Sequence, residues 1–524
     1  MTTPTAAPHR PPLNRERERF WYLIHGEWTK FRTVRGWVIA VLVTILAITA
    51  FAFLFSDISA GCAVSSGAGG TASPASCPPP PPTGPGGEPV QDAFYFLHQP
   101  LTSNGTITVQ LTSLTGQVAI GPGSNGQSQM GSGLQPWSKA GIIIKENMSQ
   151  GSAYAAMMVT GSNGVRMQWD YVNDRTGLPG SASAPRWLRL VRDGDTITGY
   201  DSADGTQWTP VDTVTLPGLT DPKQAGTVQA GLFTAAPSTG NATTTTGVFQ
   251  HIGLSWPATR WTATNVGGTS QNGVGQPGTF SQSGGVLTVT GGSGDIAPLV
   301  GGAGVISIQR ALLGTFFGLI PLIVVAAMFV TGEYRRGLIR VSLTAAPRRG
   351  RLLAAKAVVI AAVGFVAGAV AAALALAVGT PVLPRTGIPV WPVSLLTEAR
   401  MVVGTGALLA LAGVLAMAIA IIVRRSAPAI TTAIVVIFIP YLLTVGVGPQ
   451  GGGNGGGGDW LLQATPVAAM AVQQALPKYY QVAAPYAVVG GYYPLAPWAG
   501  LAVECAWAAA ALALAFFLLR RRDV

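Results

Sequence analysis

The sequence predicts a multi-domain membrane protein: a six-helix α-helical transmembrane domain with an all-β sandwich inserted between its first and second spans. Three observations lead there. The chain of 524 residues is 48% apolar, 10% charged and has a mean hydropathy of +0.40, whereas soluble domains are near a quarter charged. The apolarity is uneven, because residues 301–520 are mostly Ala, Val, Leu, Ile and Gly while residues 57–300 are polar and rich in Gly, Ser and Thr. Finally, the polar stretch breaks into short alternating runs, the period of half-buried strands.

A bilayer core of about 30 Å takes roughly 20 apolar residues in a helix. Six segments meet that length: 37–55, 308–330, 353–379, 400–423, 428–446 and 497–519. The third is long enough to tilt or to continue outside the membrane. A basic region of 36 residues before the first span, with five more spans following, argues against a cleaved signal peptide.

Orientation follows from Lys and Arg. Residues 1–36 hold seven, 331–356 seven, 424–425 two and 520–522 three, together 19 of the 32 in the chain. Placed in the cytoplasm with Glu16, Glu18, Glu27, Glu333 and Asp523, they make that side +14, and residues 57–305 carry nine bases and 13 acids, or −4. Both termini are then cytoplasmic in a multi-pass plasma-membrane protein, and the large inserted domain is extracellular. The pI of 9.8 therefore records topology and contact with anionic lipid, and no nucleic-acid partner is indicated.

The inserted region opens with a stalk, 57–89, whose PPPPPTGPGG (78–87) favours extended polyproline II. Cys62 and Cys77 lie in it, outside the cell, and form either a disulfide or two free thiols. Cys505 lies within a span and is expected to pack there. From 90 to 256, the runs TITVQLTSL (106–114), AGIIIKEN (140–147), AYAAMMVT (153–160), VRMQWDYV (165–172), RWLRLVRDGDTITGYDS (186–202) and TVQAGLFT (227–234) read as strands. DGD (193–195) and SADGTQW (202–208) read as turns, and 257–305 as one or two further strands returning to the membrane. PWSKAGIIIKEN, VRMQWDY, PRWLRLVRDGDTITGYDSADGTQW and AGLF together resemble the concanavalin-like, laminin-G-type jelly-roll domains. Glycoside hydrolases on such a fold need paired carboxylates facing one cleft. Here Asp193, Asp195, Asp201 and Asp204 fall in turns and Glu146 is isolated, so hydrolysis is not expected. Trp137, Trp187 and Trp208 are either glycan contacts or core packing.

Residues 13–34 precede the first span and are amphipathic: Leu13, Phe20, Trp21, Ile24, Trp28, Phe31 and Val34 share a face, as suits a helix lying in the inner membrane interface. Glu27 projects from that apolar stripe, which requires a cationic partner or a path to the headgroups. After the second span comes a compact basic loop, 331–352. HGEWTKFRTVRGW, GEYRRGLIRVSLTAAPRRGRLLAAK and WLLQATPVAAMAVQQALPKYY, with six spans in this inside/outside pattern, resemble the permease subunits of type-2 ATP-binding cassette (ABC-2) exporters over residues 13–56 and 306–524.

That resemblance implies an elbow helix at 13–34, with Glu27, Trp28, Lys30 and Arg32 as its site residues. It also implies a coupling segment at 333–346 that docks on an ATPase, carried by Glu333, Tyr334, Arg335, Arg336 and Arg340. It further implies a homodimer, or a heterodimer with a related permease, and two ATPase copies. The chain contains no GxxxxGK[ST] phosphate loop, so no cofactor is bound directly and ATP is hydrolysed by the partner subunit. The chain itself is then a transporter subunit and not an enzyme, with its substrate unspecified. A membrane-anchored glycan receptor, or a subunit that transmits force to the outer domain without transport, are the alternatives.

Within the spans, Glu504 is the deep acid, and intramembrane acids call for a named partner. Arg310 and Arg400, near the same ends of their spans, are the candidates. Residues 460–476 read as a short exterior helix across the mouth of the pathway. His9, His25, His98 and His251 have no metal-ligand spacing, and no metal site is assigned.

Overall fold

The computed structural model describes residues 20–58, 80–122, 128–179, 185–220, 228–237, 243–268, 277–300, 305, 307–335, 349–383, 389–446, 459–482 and 491–521. The helices are α1 (Phe20–Thr33), α2 (Arg35–Ile58), α3 (Thr315–Arg335), α4 (Arg349–Val382), α5 (Leu395–Val423), α6 (Ser426–Gly446), α7 (Asp459–Ala464) and α8 (Pro497–Arg521). Six of them, α2 to α6 and α8, are long and apolar enough to cross a membrane.

Helix α5 is apolar on every side and is the most enclosed of the six, the pattern of a central helix. Helix α4 lies tightly along it. A Cβ on Gly364 would sit 2.8 Å from the Leu409 carbonyl and one on Gly368 2.7 Å from that of Thr405. Small residues let the two backbones meet where lipid provides no hydrophobic drive between helices. Ser394 caps α5 by accepting from the Thr397 amide, so the helix starts at Leu395, five residues before the expected span.

The helical part corrects two sequence expectations. Glu333, Tyr334 and Arg335 belong to α3 itself and not to a separate segment. Nothing in TGEYR breaks the helix, and Thr331 hydrogen-bonds back to the Ala327 carbonyl at 2.9 Å. The stretch 460–476 is not a single helix. Helix α7 ends at Ala464, and a 3-10 helix, Pro466–Gln473, follows with every residue buried among the spans. Pro466 stops the α-helix because it has no amide to donate, and the apolar PVAAMAV then packs on all sides.

The inserted domain is a sandwich of two antiparallel sheets. Its strands are β1 (Val90–Asp92), β2 (Phe94–Pro100), β3 (Gly105–Pro122), β4 (Ser128–Ser132), β5 (Lys139–Lys145), β6 (Tyr154–Thr160), β7 (Val165–Trp169), β8 (Asn173–Thr176), β9 (Arg186–Asp193), β10 (Thr196–Ser202), β11 (Thr209–Thr215), β12 (Gln229–Ala235), β13 (Thr243–Leu254), β14 (Thr262–Val266), β15 (Thr279–Ser283), β16 (Val286–Gly291) and β17 (Ile296–Pro298). One sheet runs β11-β10-β9-β3-β13-β16-β15 with β4 on β3, and the other runs β14-β2-β12-β5-β6-β7-β8. Leu97, Ile107, Val109, Ile142, Met157, Leu188, Leu232 and Phe249 fill the space between them. The DGD turn closes β9 onto β10, with Gly194 at φ 62°.

The sandwich extends past 256, because β14 joins one sheet and β15 and β16 the other. Where one or two further strands were expected, 257–305 supplies four, three of which complete the two layers. Strands β5 and β6 are buried along their whole length, so their sheet is covered on both faces. Its outer cover includes β1 and β17, which pair antiparallel, Asp92 opposite Ile296. The chain therefore enters and leaves the domain side by side, as suits an inserted domain.

Candidate functional site: a charge cluster at the arginine-rich end of the bundle

In α1, FWYLIHGEWTKFRT, Glu27 and Phe31 stand one turn apart and are the two buried residues of the helix. Phe31 packs against Trp37 and Phe329 with ring centroids 5.9 Å away in each case, which seats α1 on α2 and α3. That seating carries Glu27 inward to the start of α4. There its Oε2 accepts from the Lys356 ammonium at 2.7 Å and its Oε1 from Lys30 at 2.8 Å. Lys356 also donates to Glu333 Oε1 at 2.8 Å, and Lys30 reaches the same oxygen at 3.1 Å. The Phe329 ring lies 4.7 Å below the Lys356 ammonium.

Two carboxylates and two ammonium groups thus form a neutral cluster joining α1, α3 and α4. Glu27 is 3% exposed, Lys356 4% and Glu333 8%. Desolvating such ions is expensive, and the arrangement survives because each charge meets an opposite one. Removing a single partner of a buried pair typically costs about 3–5 kcal/mol. Lys30 is half exposed. Burial works to lower its pKa, but the hydrogen bond and charge of Glu27 and then those of Glu333 outweigh it, and the net shift is upward. Glu333 keeps Oε2 buried without a hydrogen-bond partner among the described residues, so one acceptor in the cluster is left over.

Further contacts brace the same end. The Arg424 guanidinium, at the left-handed C-cap of α5, lies 5.6 Å over the Tyr334 ring. Arg349 at the start of α4 donates to the Leu519 carbonyl near the end of α8. Trp28 stacks on Phe31 with centroids 6.2 Å apart while remaining 42% exposed, and Arg32 points outward. Arg336 and Arg340 lie outside the described residues, as do 13–19, Cys62 and Cys77, and the side chain of Arg335. Sequence reasoning placed Glu27 between two fates, and the structure gives it a cationic partner. It missed Lys356. The available signal was a lysine one turn inside the third apolar run.

At the opposite end the expected intramembrane pairs do not form among the described residues. Glu504 is 2% exposed, with Oε2 lacking a hydrogen-bond partner among the described residues. Arg310 is exposed, on the 3-10 helix Ile308–Leu312 that precedes α3. Arg400 is turned to the Gln474 carbonyl. One turn before Glu504 on α8, Gly500 meets the 3-10 segment at Ala468. Cys505, which follows Glu504, is exposed and does not pack in the bundle.

The sandwich tryptophans separate. Trp137 is 9% exposed beneath the Arg166 guanidinium, 5.5 Å from its ring, and is core packing. Trp187 and Trp208 are half-buried on the outer face of the β9 sheet. Trp187 stacks on His251 at 5.4 Å, and Arg189 lies 3.7 Å over Trp208. The SADGTQW turn holds the exposed Asp204 carboxyl well below the usual range through amide donors from Gln207 and Thr206 and the Thr206 and Ser202 hydroxyls. That is turn chemistry. No group of three or more His, Cys, Asp or Glu suited to a metal occurs among the described residues.

No curated protein matches the chain by sequence. Among solved structures, it is similar to the GH43 BlXynB protein from Bacillus licheniformis, at 14% identity and a TM-score of 0.19 over 28% of this chain and 26% of that one. A point mutant of that protein matches at 14% identity and a TM-score of 0.17, over 25% and 24% of the two chains. The chain thus spans about a quarter of the length of these structures. A functionally unknown protein from Saccharomyces cerevisiae is similar at 16% identity and a TM-score of 0.19, over 32% of this chain and 76% of that one. The profile of the ABC-2 family transporter proteins matches residues 224–524, more than half of the chain. With its six candidate membrane helices, the chain belongs to the ABC-2 transporter family.

Proposed function

We propose that this protein is the membrane subunit of an ATP-driven exporter, powered by a separate ATPase subunit docked at the arginine-rich end. The observation that supports it best is the cluster Glu27–Lys30–Glu333–Lys356. It binds α1, the end of α3 and the start of α4 into one body, so a push on the segment after Glu333 displaces all three together. Two copies of this chain, or one with a related permease, would bring twelve spans to two ATPase subunits. Both termini and α1 are then cytoplasmic and the sandwich extracellular. Closure of the ATPase pair on ATP would rock the bundle between inward- and outward-facing states.

Replacing Arg335 and Arg336 by Glu tests the docking assignment. Permease-stimulated ATP turnover should vanish while membrane insertion is kept, and unchanged turnover removes the assignment. Reporter fusions near Pro347 test the topology, since an extracellular signal there contradicts it.

A second reading, force transmission to the outer domain, is favoured by how that domain is seated. Gln481 donates to the Tyr171 carbonyl of the sandwich at 3.1 Å. Val300, after β17, packs with Trp391 and Leu476 of the helical part. A seated domain can feel bundle motion, which a floppy tether would absorb. Hydrogen exchange around Tyr171 with and without ATP separates the readings. Altered protection without substrate flux favours force transmission, whereas flux with unaltered protection favours export alone.

A further inference from the structure

We propose that a cavity at the sandwich end of the bundle binds the anionic headgroup of a membrane lipid. The cavity, about 450 Å³, lies between the start of α5, the chain following the 3-10 segment and Pro497 at the start of α8. Among the described residues its lining includes two cations, Arg400 and Lys478, the hydroxyls of Ser394 and Thr397, and no carboxylate. Neither cation has an ion-pair partner among the described residues. Arg400 gives one Nη2 bond to the Gln474 carbonyl, which orients the guanidinium, and its Nε is buried without a hydrogen-bond partner. Lys478 is exposed, its ammonium 5.2 Å from the Tyr480 ring.

Ser394, Thr397 and Arg400 recur every third residue, so they share one face of the first turns of α5. The amide end of that helix adds partial positive charge to the same space. A phosphodiester fits this set: it accepts from a planar guanidinium, a mobile ammonium and hydroxyls at once.

The surroundings favour a lipid over a free anion. Leu395 and Leu396, in the same turn as the hydroxyls, are 80% and 83% exposed, and Trp498 beside Pro497 is 58% exposed. Large apolar side chains at the end of a membrane span lie at the lipid interface. A lipid can therefore set its phosphate between Arg400 and Lys478 while its chains cover the leucines. A soluble phosphate would leave them uncovered.

The full chain in nanodiscs of phosphatidylcholine with an equal share of phosphatidylglycerol, followed by native mass spectrometry of retained lipid, tests this. Wild type should retain phosphatidylglycerol over phosphatidylcholine by roughly tenfold, and R400Q/K478Q should lose that preference. Because the Arg400 change also removes a structural bond, the single variant K478Q at the exposed lysine is included and should weaken the preference severalfold. No preference in wild type, or an undiminished one in K478Q, overturns the site. Thermal stabilisation by inorganic phosphate in pure phosphatidylcholine discs equal to that by phosphatidylglycerol overturns the lipid assignment.

Discussion

Lys145 and Asp92 meet at 2.9 Å beneath the outer face of the seven-stranded sheet, 0% and 1% exposed at their side chains. Asp92 sits in β1, the strand by which the chain enters the domain, so a buried ion pair fastens that connection to β5. Lys139, at the other end of β5, makes the matching pair with Asp295 just before β17, at 2.6 Å. The Tyr171 hydroxyl and the Gly151 amide also donate to Asp92 Oδ2.

Replacing Lys145 by Met should destabilise the domain by about 3–5 kcal/mol, because Asp92 would stay buried without its cation. The joint change K145M/D92N should be milder than K145M alone. Thermal unfolding of the full chain, followed by protease resistance of the sandwich, measures both.

The charge cluster at the arginine-rich end should show the same non-additivity. We expect K356M to cost about 3–5 kcal/mol and E27Q/K356M less than the sum of its single changes. Additive losses would mean that Glu27 and Lys356 do not depend on each other. Detergent-resistance melting curves of the four proteins provide the cycle.

Asp170 gives the sandwich a pH dependence of definite sign. Burial raises its carboxyl to about 6, with the Tyr154 amide opposing and Glu88 and Glu146 adding to the rise. The folded state therefore holds a proton that the unfolded chain releases near its ordinary 3.8. Stability from this group is greatest below that value, declines as pH rises to about 6 and is then flat, with a span of up to about 3 kcal/mol. D170N should flatten that slope. Melting temperatures of wild type and variant across this window decide it.

Two glycines should behave oppositely. A Cβ on Gly500 would lie 2.0 Å from the Ala468 carbonyl, whereas one on Gly332 meets nothing within 4 Å. G500A should push α8 off the 3-10 segment and destabilise the bundle by about 1–3 kcal/mol. G332A should stabilise α3 by about 0.5–1 kcal/mol. Equal melting shifts for the two would contradict the close crossing.

The linear order of residues was enough to specify the two-part architecture. Twenty-residue apolar runs have no satisfactory place except the bilayer, and alternating β-branched runs between turn residues form half-buried strands whatever their neighbours are. It also marked Glu27 as anomalous, since an acid on an apolar helical face must be compensated. How it is compensated emerged with the packing of the whole chain. Lys356 lies 329 residues away along the chain, and no local pattern reports which distant cation will arrive. The same holds for Lys139 and Lys145, which flank AGIII like ordinary solvent-facing strand ends. They are buried because β1 and β17 close over them. It holds as well for Arg400, which the sequence offered to Glu504 and the packing turned to the Gln474 carbonyl. Periodicity is a property of neighbours, whereas charge compensation is settled by whichever segments the folded chain brings together.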